Sequence, residues 1–143
     1  TRTTITEDDI EEYVGISKEY NVFELQNAVG RKNLSKAMQI VQYFESNPKA
    51  APIQLILPSL YSYFSKTFML FGVQGDDKTI SAQTGINGWF LKDYKATVNA
   101  YGYEGIQAAL LLMHQYNLRS VGVNDAGTED ASLLKELIYK MMG

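Results

Sequence analysis

The chain has 143 residues, 45% of them hydrophobic and 20% charged, with no cysteine and a formal net charge of −3 at pH 7. That size and apolar content suit one compact domain with a real core and exclude a disordered chain. The missing cysteines exclude disulfides, thiolate zinc sites and cysteine nucleophiles and fit a reducing, cytoplasmic compartment, and a dedicated nucleic-acid binder would be far more basic.

Charge is uneven along the chain. Residues 1–24 carry seven acidic and two basic side chains, a net of −5, and the remainder carries 9 acidic and 11 basic, a net of +2. The polar, acidic N-terminus lacks a signal-peptide pattern, and a chain opening on Thr1 is expected to be a piece of a longer protein. Thr6 to Val14 reads as a short helix, with Thr6 as N-cap, Glu7, Asp8 and Asp9 in the favourable first turn and Gly15 as the stop. Asn21 is the expected cap of the next helix, with Glu24 completing a capping box. Val22, Leu25 and Val29 share its inner face, Phe23 flanks them, and Gly30 ends it. Asn33 then caps a helix whose buried stripe is Leu34, Ala37, Met38, Val41 and Phe44, ended by Asn47-Pro48.

Pro52 suits the first turn of a long helix reaching about Val73, with Ile53, Leu57, Leu60, Phe64, Phe68 and Phe71 in one stripe, widened by Ile56, Tyr63 and Leu70. Pro58 is expected to kink that helix or to move its start downstream. Lys66, three serines and Pro58 make it a core helix rather than a membrane span. Gly75-Asp76-Asp77 reads as a turn and Lys78 to Thr84 as a short helix ended by Gly85. Asn87 caps a helix with Phe90, Tyr94, Val98 and Tyr101 at helical intervals, broken by Gly102. Glu104 to Ser120 follows with Ile106, Leu110 and Met113 inward, then a loop from Val121 to Gly127. Thr128 caps a last helix burying Leu134, Leu137, Ile138 and Met141. No strand-period alternation appears, so the expectation is an all-α helical bundle with antiparallel neighbours.

Chemistry-bearing signals are sparse. The phosphate-cradling patterns GxxxxGK[ST] and GxGxxG are missing. His114 is the sole histidine and reads as a core-edge or surface residue. The carboxylate pairs Asp76-Asp77 and Glu129-Asp130 sit at helix starts, where capping explains them better than acid–base or metal chemistry. No catalytic residue, cofactor or metal is therefore expected. Thr79 to Tyr94 resembles a helix-turn-helix, but its second helix opens on Gly88-Trp89-Phe90-Leu91 with Lys92 and Lys95 as its cations. A structural helix pair is the favoured reading, and a DNA-binding module is the alternative. Trp89 reads equally as core or as a partner-facing anchor. Arg31-Lys32, with Lys36 one turn on, is the densest basic spot. It reads first as a solvated hinge, with a neighbouring-subunit or phosphate contact as the alternative.

Several segments also resemble a known family, in order along the chain. ITEDDIEEYVG, Ile5 to Gly15, is similar to the end of the lid subdomain in delta subunits of bacterial DNA polymerase III. VFELQNAVGRKNLSKAMQIV resembles the family pattern of a Phe-x-Leu helix, an Arg-x-Asn hinge and a Lys-Ala helix. GINGWFLKDYKATVNAYGYEGI, YNLRSVGV and DASLLKELIYKM resemble later segments of the same family. Asn117 departs from the Asp common there, and Arg119 stands near the usual Lys, which unsettles any charge pairing inferred for that turn. The resemblance covers nearly the whole chain, although no single motif is highly specific. It implies the tail of an AAA+ lid at residues 1–20 and a helical collar, the oligomerisation domain, at residues 21–143. Implied partners are the gamma/tau and delta prime subunits of the clamp loader. The sliding clamp is reached through an N-terminal domain not included in these 143 residues, and primer-template DNA indirectly. The expected role is non-catalytic assembly during DNA replication, within a parent subunit of a polymerase holoenzyme. Arg31, Lys32, Lys36, Trp89, Lys92 and Lys95 are the candidate partner or phosphate contacts.

Overall fold

Capped, amphipathic segments build the architecture, seen here in a computed structural model that describes residues 20–47, 49, 53–120 and 130–142. These residues form six α-helices: α1 (Val22–Gly30), α2 (Leu34–Ser46), α3 (Ile53–Met69), α4 (Asp77–Thr84), α5 (Gly88–Ser120) and α6 (Asp130–Met142). A 3-10 turn, Leu70–Gly72, extends α3. The described residues are all-helical, as the sequence pattern leads one to expect. The expected helix at Thr6 to Val14, the Pro52 first turn, the Val121 to Gly127 loop and the Thr128 cap lie outside the described residues, as does the proposed lid tail except Tyr20.

Side-chain caps start the helices where the polar residues stand. Asn21 accepts the Glu24 N–H at 2.9 Å, Asn33 accepts the Lys36 N–H at 3.2 Å, and Asp76 accepts the Thr79 N–H at 2.9 Å. Each satisfies one of the donors that a helix start leaves open. Gly85 closes α4 in the left-handed conformation, φ 76°. Helix α3 runs unbroken through Pro58, so its start is not displaced downstream. Pro58 itself is exposed.

The α1–α2 corner is tighter than the sequence suggests. Arg31 is the C-cap of α1, and Lys32 takes the left-handed conformation at φ 58°. The Lys32 N–H bonds the Val29 carbonyl at 3.1 Å and the Asn33 N–H bonds the Ala28 carbonyl at 2.8 Å. That pair of bonds is the Schellman motif, made here with lysine where glycine is usual. Gly30 serves a different need. It is the buried last residue of α1, and a Cβ there would overlap Thr97 Oγ1 and stand 3.2 Å from the Tyr63 hydroxyl.

One main core joins α1, α2, α3, α5 and α6 through fully buried Leu25, Ile40, Phe44, Phe64, Ile106 and Leu137. Helix α3 is its axis, packed most extensively on α5. A smaller cluster of Ile80, Ile86 and Leu91 seats α4 against the start of α5. Two members of the helically spaced stripes face outward. Phe90 is exposed and Leu91, one residue on, is buried in its place; Phe71 lies at the surface. Both 90 and 91 are helically spaced from Tyr94, and the small cluster beneath α4 takes the compact branched side chain. Within α5, Gly102 has φ 70° and ψ 174°, so its two arms diverge there, in line with the break expected from the sequence. The Phe68–Tyr103 and Phe71–Tyr103 ring contacts, at 5.1 and 5.3 Å between centroids, tie the end of α3 to that break.

Candidate interaction surface

A buried polar network ties the first arm of α5 to α3 and to α1. The Tyr63 hydroxyl stands 2.8 Å from Thr97 Oγ1 and donates to the Asp93 carbonyl at 3.1 Å. The Tyr101 hydroxyl donates to the Val29 carbonyl at 2.6 Å. Burial pushes the Tyr63 phenol up to about 12, with the Thr97 hydrogen bond partly opposing it and the nearby Asp93 charge adding to it. Burial raises Tyr101 as well. Tyr63 also stacks on Tyr94, ring centroids 4.4 Å apart. The Tyr63 contacts hold α5 against α3 and the Tyr101 bond holds it against α1, and together they set where α1 and α5 carry their side chains outward.

What they carry outward is aromatic. Trp89 is 88% exposed, Phe23 66% and Phe90 50%. The Phe23 and Phe90 rings lie nearly parallel, 8° between planes, with centroids 6.4 Å apart. Beside them is a recess of about 70 Å³ lined by Phe23, Asn27, Phe90, Asp93 and Tyr94 among others. Single exposed apolar residues are ordinary, but three large rings gathered at one helix junction make a patch of the kind that marks a contact site. In the sequence Phe23 reads as a flank of the α1 stripe, and Phe90 as one of the helically spaced residues of α5. Of the three rings, the sequence singles out Trp89 by residue type, equally as core or as a partner-facing anchor.

The cations predicted as contacts are mostly engaged within the chain. Arg31 donates to Asp93 Oδ1 at 2.7 Å. Lys32 Nζ lies 4.7 Å from the Tyr101 ring centroid, a cation–π contact. Lys95 pairs with Asp77. Lys36 stands half-buried in the first turn of α2, and Lys92 is exposed on α5 next to the aromatic face. The structure therefore brings Arg31, Lys32, Trp89 and Lys92 to the α1–α5 side of the bundle. It separates Lys36 onto α2 and fastens Lys95 to α4. Asp76 is a cap, and its Thr79 backbone hydrogen bond holds the carboxyl below its ordinary value. Asp77 serves the ion pair, and Glu129 lies outside the described residues.

A second recess, about 380 Å³, opens between α3 and the second arm of α5, lined by Leu57, Pro58, Tyr61, Met113, His114 and Asn117. His114 is exposed at its edge. Among the described residues no group of three or more histidine, aspartate or glutamate side chains is arranged to hold a metal ion. No helix among them is long and apolar enough to cross a membrane. At the far end, the Tyr116 hydroxyl and Arg119 both donate to Glu136, Arg119 at 2.6 Å, which joins α5 to α6. Those two hydrogen bonds, Tyr116 first, hold the Glu136 carboxyl below its ordinary value. The departure noted at Asn117 and Arg119 thus has a partner on α6 for the arginine.

No family model, curated protein or solved structure matches the chain.

Proposed function

We propose that this chain is a non-catalytic oligomerisation domain of a DNA polymerase III delta subunit, the collar piece that seats the subunit in the sliding-clamp loader. The observation that carries the reading is the aromatic face of Phe23, Trp89 and Phe90, displayed on a bundle whose helices are capped and cross-linked by buried hydrogen bonds. A collar needs a rigid scaffold and a large protein interface, on the order of 2,000 Å² or more in stable assemblies. Trp and Phe at the centre of such a face are the residue types that concentrate binding energy. The ordered resemblance of GRKNLSKA, GINGWFLKDY and DASLLKEL to delta subunits supports the identity of the partners, which would be the gamma/tau and delta prime subunits.

A duplex-reading module has less behind it. The second helix of such a motif presents polar and basic groups to the major groove, whereas α5 begins with exposed rings, and Lys95 is spent on Asp77. The test is capture of purified gamma/tau and delta prime collar subunits by this chain, alongside a duplex-binding titration at low salt. The expected outcome is subunit capture, no ATPase activity from the chain alone, and no duplex binding. Duplex binding that falls steeply with salt, without subunit capture, would replace this reading with the nucleic-acid one.

A further inference from the structure

Asn87 is followed directly by Gly88, and no other asparagine in the chain precedes a glycine. At that pair a backbone nitrogen stands next to a side-chain amide with no side chain of its own in the way. Both residues are exposed, and open space surrounds the would-be Cβ of Gly88. Gly88 is the first residue of α5, so its N–H is among the donors that a helix start leaves without an intrahelical partner. The Asn87 side chain folds forward over this peptide, its Oδ1 accepting the Trp89 N–H at 2.9 Å. That hydrogen bond draws electrons toward Oδ1 and makes the side-chain carbonyl carbon more electrophilic. The same N–H, at the positive end of α5, stabilises the negative charge that gathers on Oδ1 when the carbon is attacked. Asn21 and Asn33 make caps of the same kind, but Val22 and Leu34 follow them and crowd the attacking nitrogen.

We propose that Asn87 is a self-modifying site, at which the folded chain converts its own asparagine to aspartate and isoaspartate through a cyclic imide. The Gly88 nitrogen gives its proton to solvent base and bonds to the Asn87 side-chain carbonyl carbon. The bond from that carbon to the amide nitrogen breaks, and the nitrogen leaves as ammonia with a proton from water. Water then opens the five-membered imide at either carbonyl. One water is consumed, one ammonia is released, and nothing is oxidised or reduced. Either product sets a carboxylate where a neutral amide stood, beside exposed Trp89 and Phe90. Aspartate still caps α5, whereas isoaspartate adds a methylene to the main chain and breaks the cap at the foot of the aromatic face. Nothing in this chemistry depends on the loader assignment.

The test is to incubate the folded whole chain in neutral and in mildly alkaline buffer, digest it with trypsin, and follow the peptide Thr79 to Lys92, in which Asn87 is the sole asparagine. The expected result is the mass gain of an amide turned into an acid, in this peptide before those carrying Asn21 or Asn33. It should be faster at the higher pH, because Gly88 must lose a proton, and fragmentation should show isoaspartate beside aspartate. Asn87→Ser, an equally good cap, should abolish the mass gain. Gly88→Ala, which has room in the fold, should slow it, and neither variant should lower the thermal transition. A peptide that stays unmodified in the folded chain overturns the proposal, whether or not the urea-unfolded chain is modified, since the cap then protects the amide. Aspartate without isoaspartate, or a wild-type rate in Gly88→Ala, overturns it as well, because water rather than the Gly88 nitrogen would be the attacking group.

Discussion

Gly30 and Lys32 divide between them the work that a single helix-ending glycine usually does. Glycine is required at 30 for space, since Thr97 and Tyr63 fill the position of a Cβ, and lysine accepts the left-handed turn at 32. Gly30→Ala should therefore destabilise the fold by about 1–3 kcal/mol, because overpacking outweighs the better helix propensity of alanine; a shift of the urea midpoint to lower concentration checks it, and an unchanged or raised midpoint contradicts it. Tyr63 supplies a second residue-scale prediction. Its phenol rises from an ordinary 10.0 to about 12 through burial, so the folded chain favours the neutral form more than the unfolded chain does. The associated stability is fully present below about pH 10 and is lost as pH climbs toward about 12. Denaturation midpoints measured from pH 8 upward should fall over that window, and Tyr63→Phe should flatten part of the fall; midpoints that stay level through it would show that the phenol is not held as described. The sequence named Gly30 and Tyr63 as stop and stripe, but their contacts join α1 to residues on α3 and α5, and local pattern carries no information on such distant pairs.

Helices were the most legible level. Asn21, Asn33, Asp76 and Gly85 act where the sequence puts them, because caps are local chemistry between a side chain and a backbone group three residues away or less. The facing of α5 was less legible. Phe90 and Leu91 fit the same helical spacing from Tyr94, and only packing of the small α4 cluster decides which turns inward. At Pro58, of the two outcomes expected, a kink or a later start, the later start does not occur, since the apolar packing of α3 before and after it carries the helix through. Gly102 makes the element-scale prediction. Its φ of 70° with ψ of 174° belongs to a region essentially reserved for glycine, and open space surrounds its would-be Cβ. Gly102→Ala should cost about 1–3 kcal/mol from backbone strain alone. A thermal transition lowered by several degrees is expected, and no change in that transition would mean that the two arms of α5 straighten without penalty.

For the molecule as a whole, the aromatic surplus divides into two uses. Tyr63, Phe64, Tyr94 and Tyr101 build the junction of α1, α3 and α5, while Phe23, Trp89 and Phe90 face outward from it. The sequence left that division open, because a ring at helical spacing looks the same whether it packs inward or awaits a partner. The basic hinge, which in sequence reads first as a solvated corner, is a corner clamped by Asp93 and Tyr101, so its two cations are engaged within the chain while the rings beside it stay exposed. The central claim is that this face belongs to a collar that assembles with loader subunits. The most direct measurement is the affinity of the chain for purified gamma/tau and delta prime, compared with its Trp89→Ala variant at equal folded concentration. The account predicts saturable binding by the wild-type chain and a loss of at least about tenfold in the variant. No binding by the wild-type chain, or equal binding by the two, would contradict it.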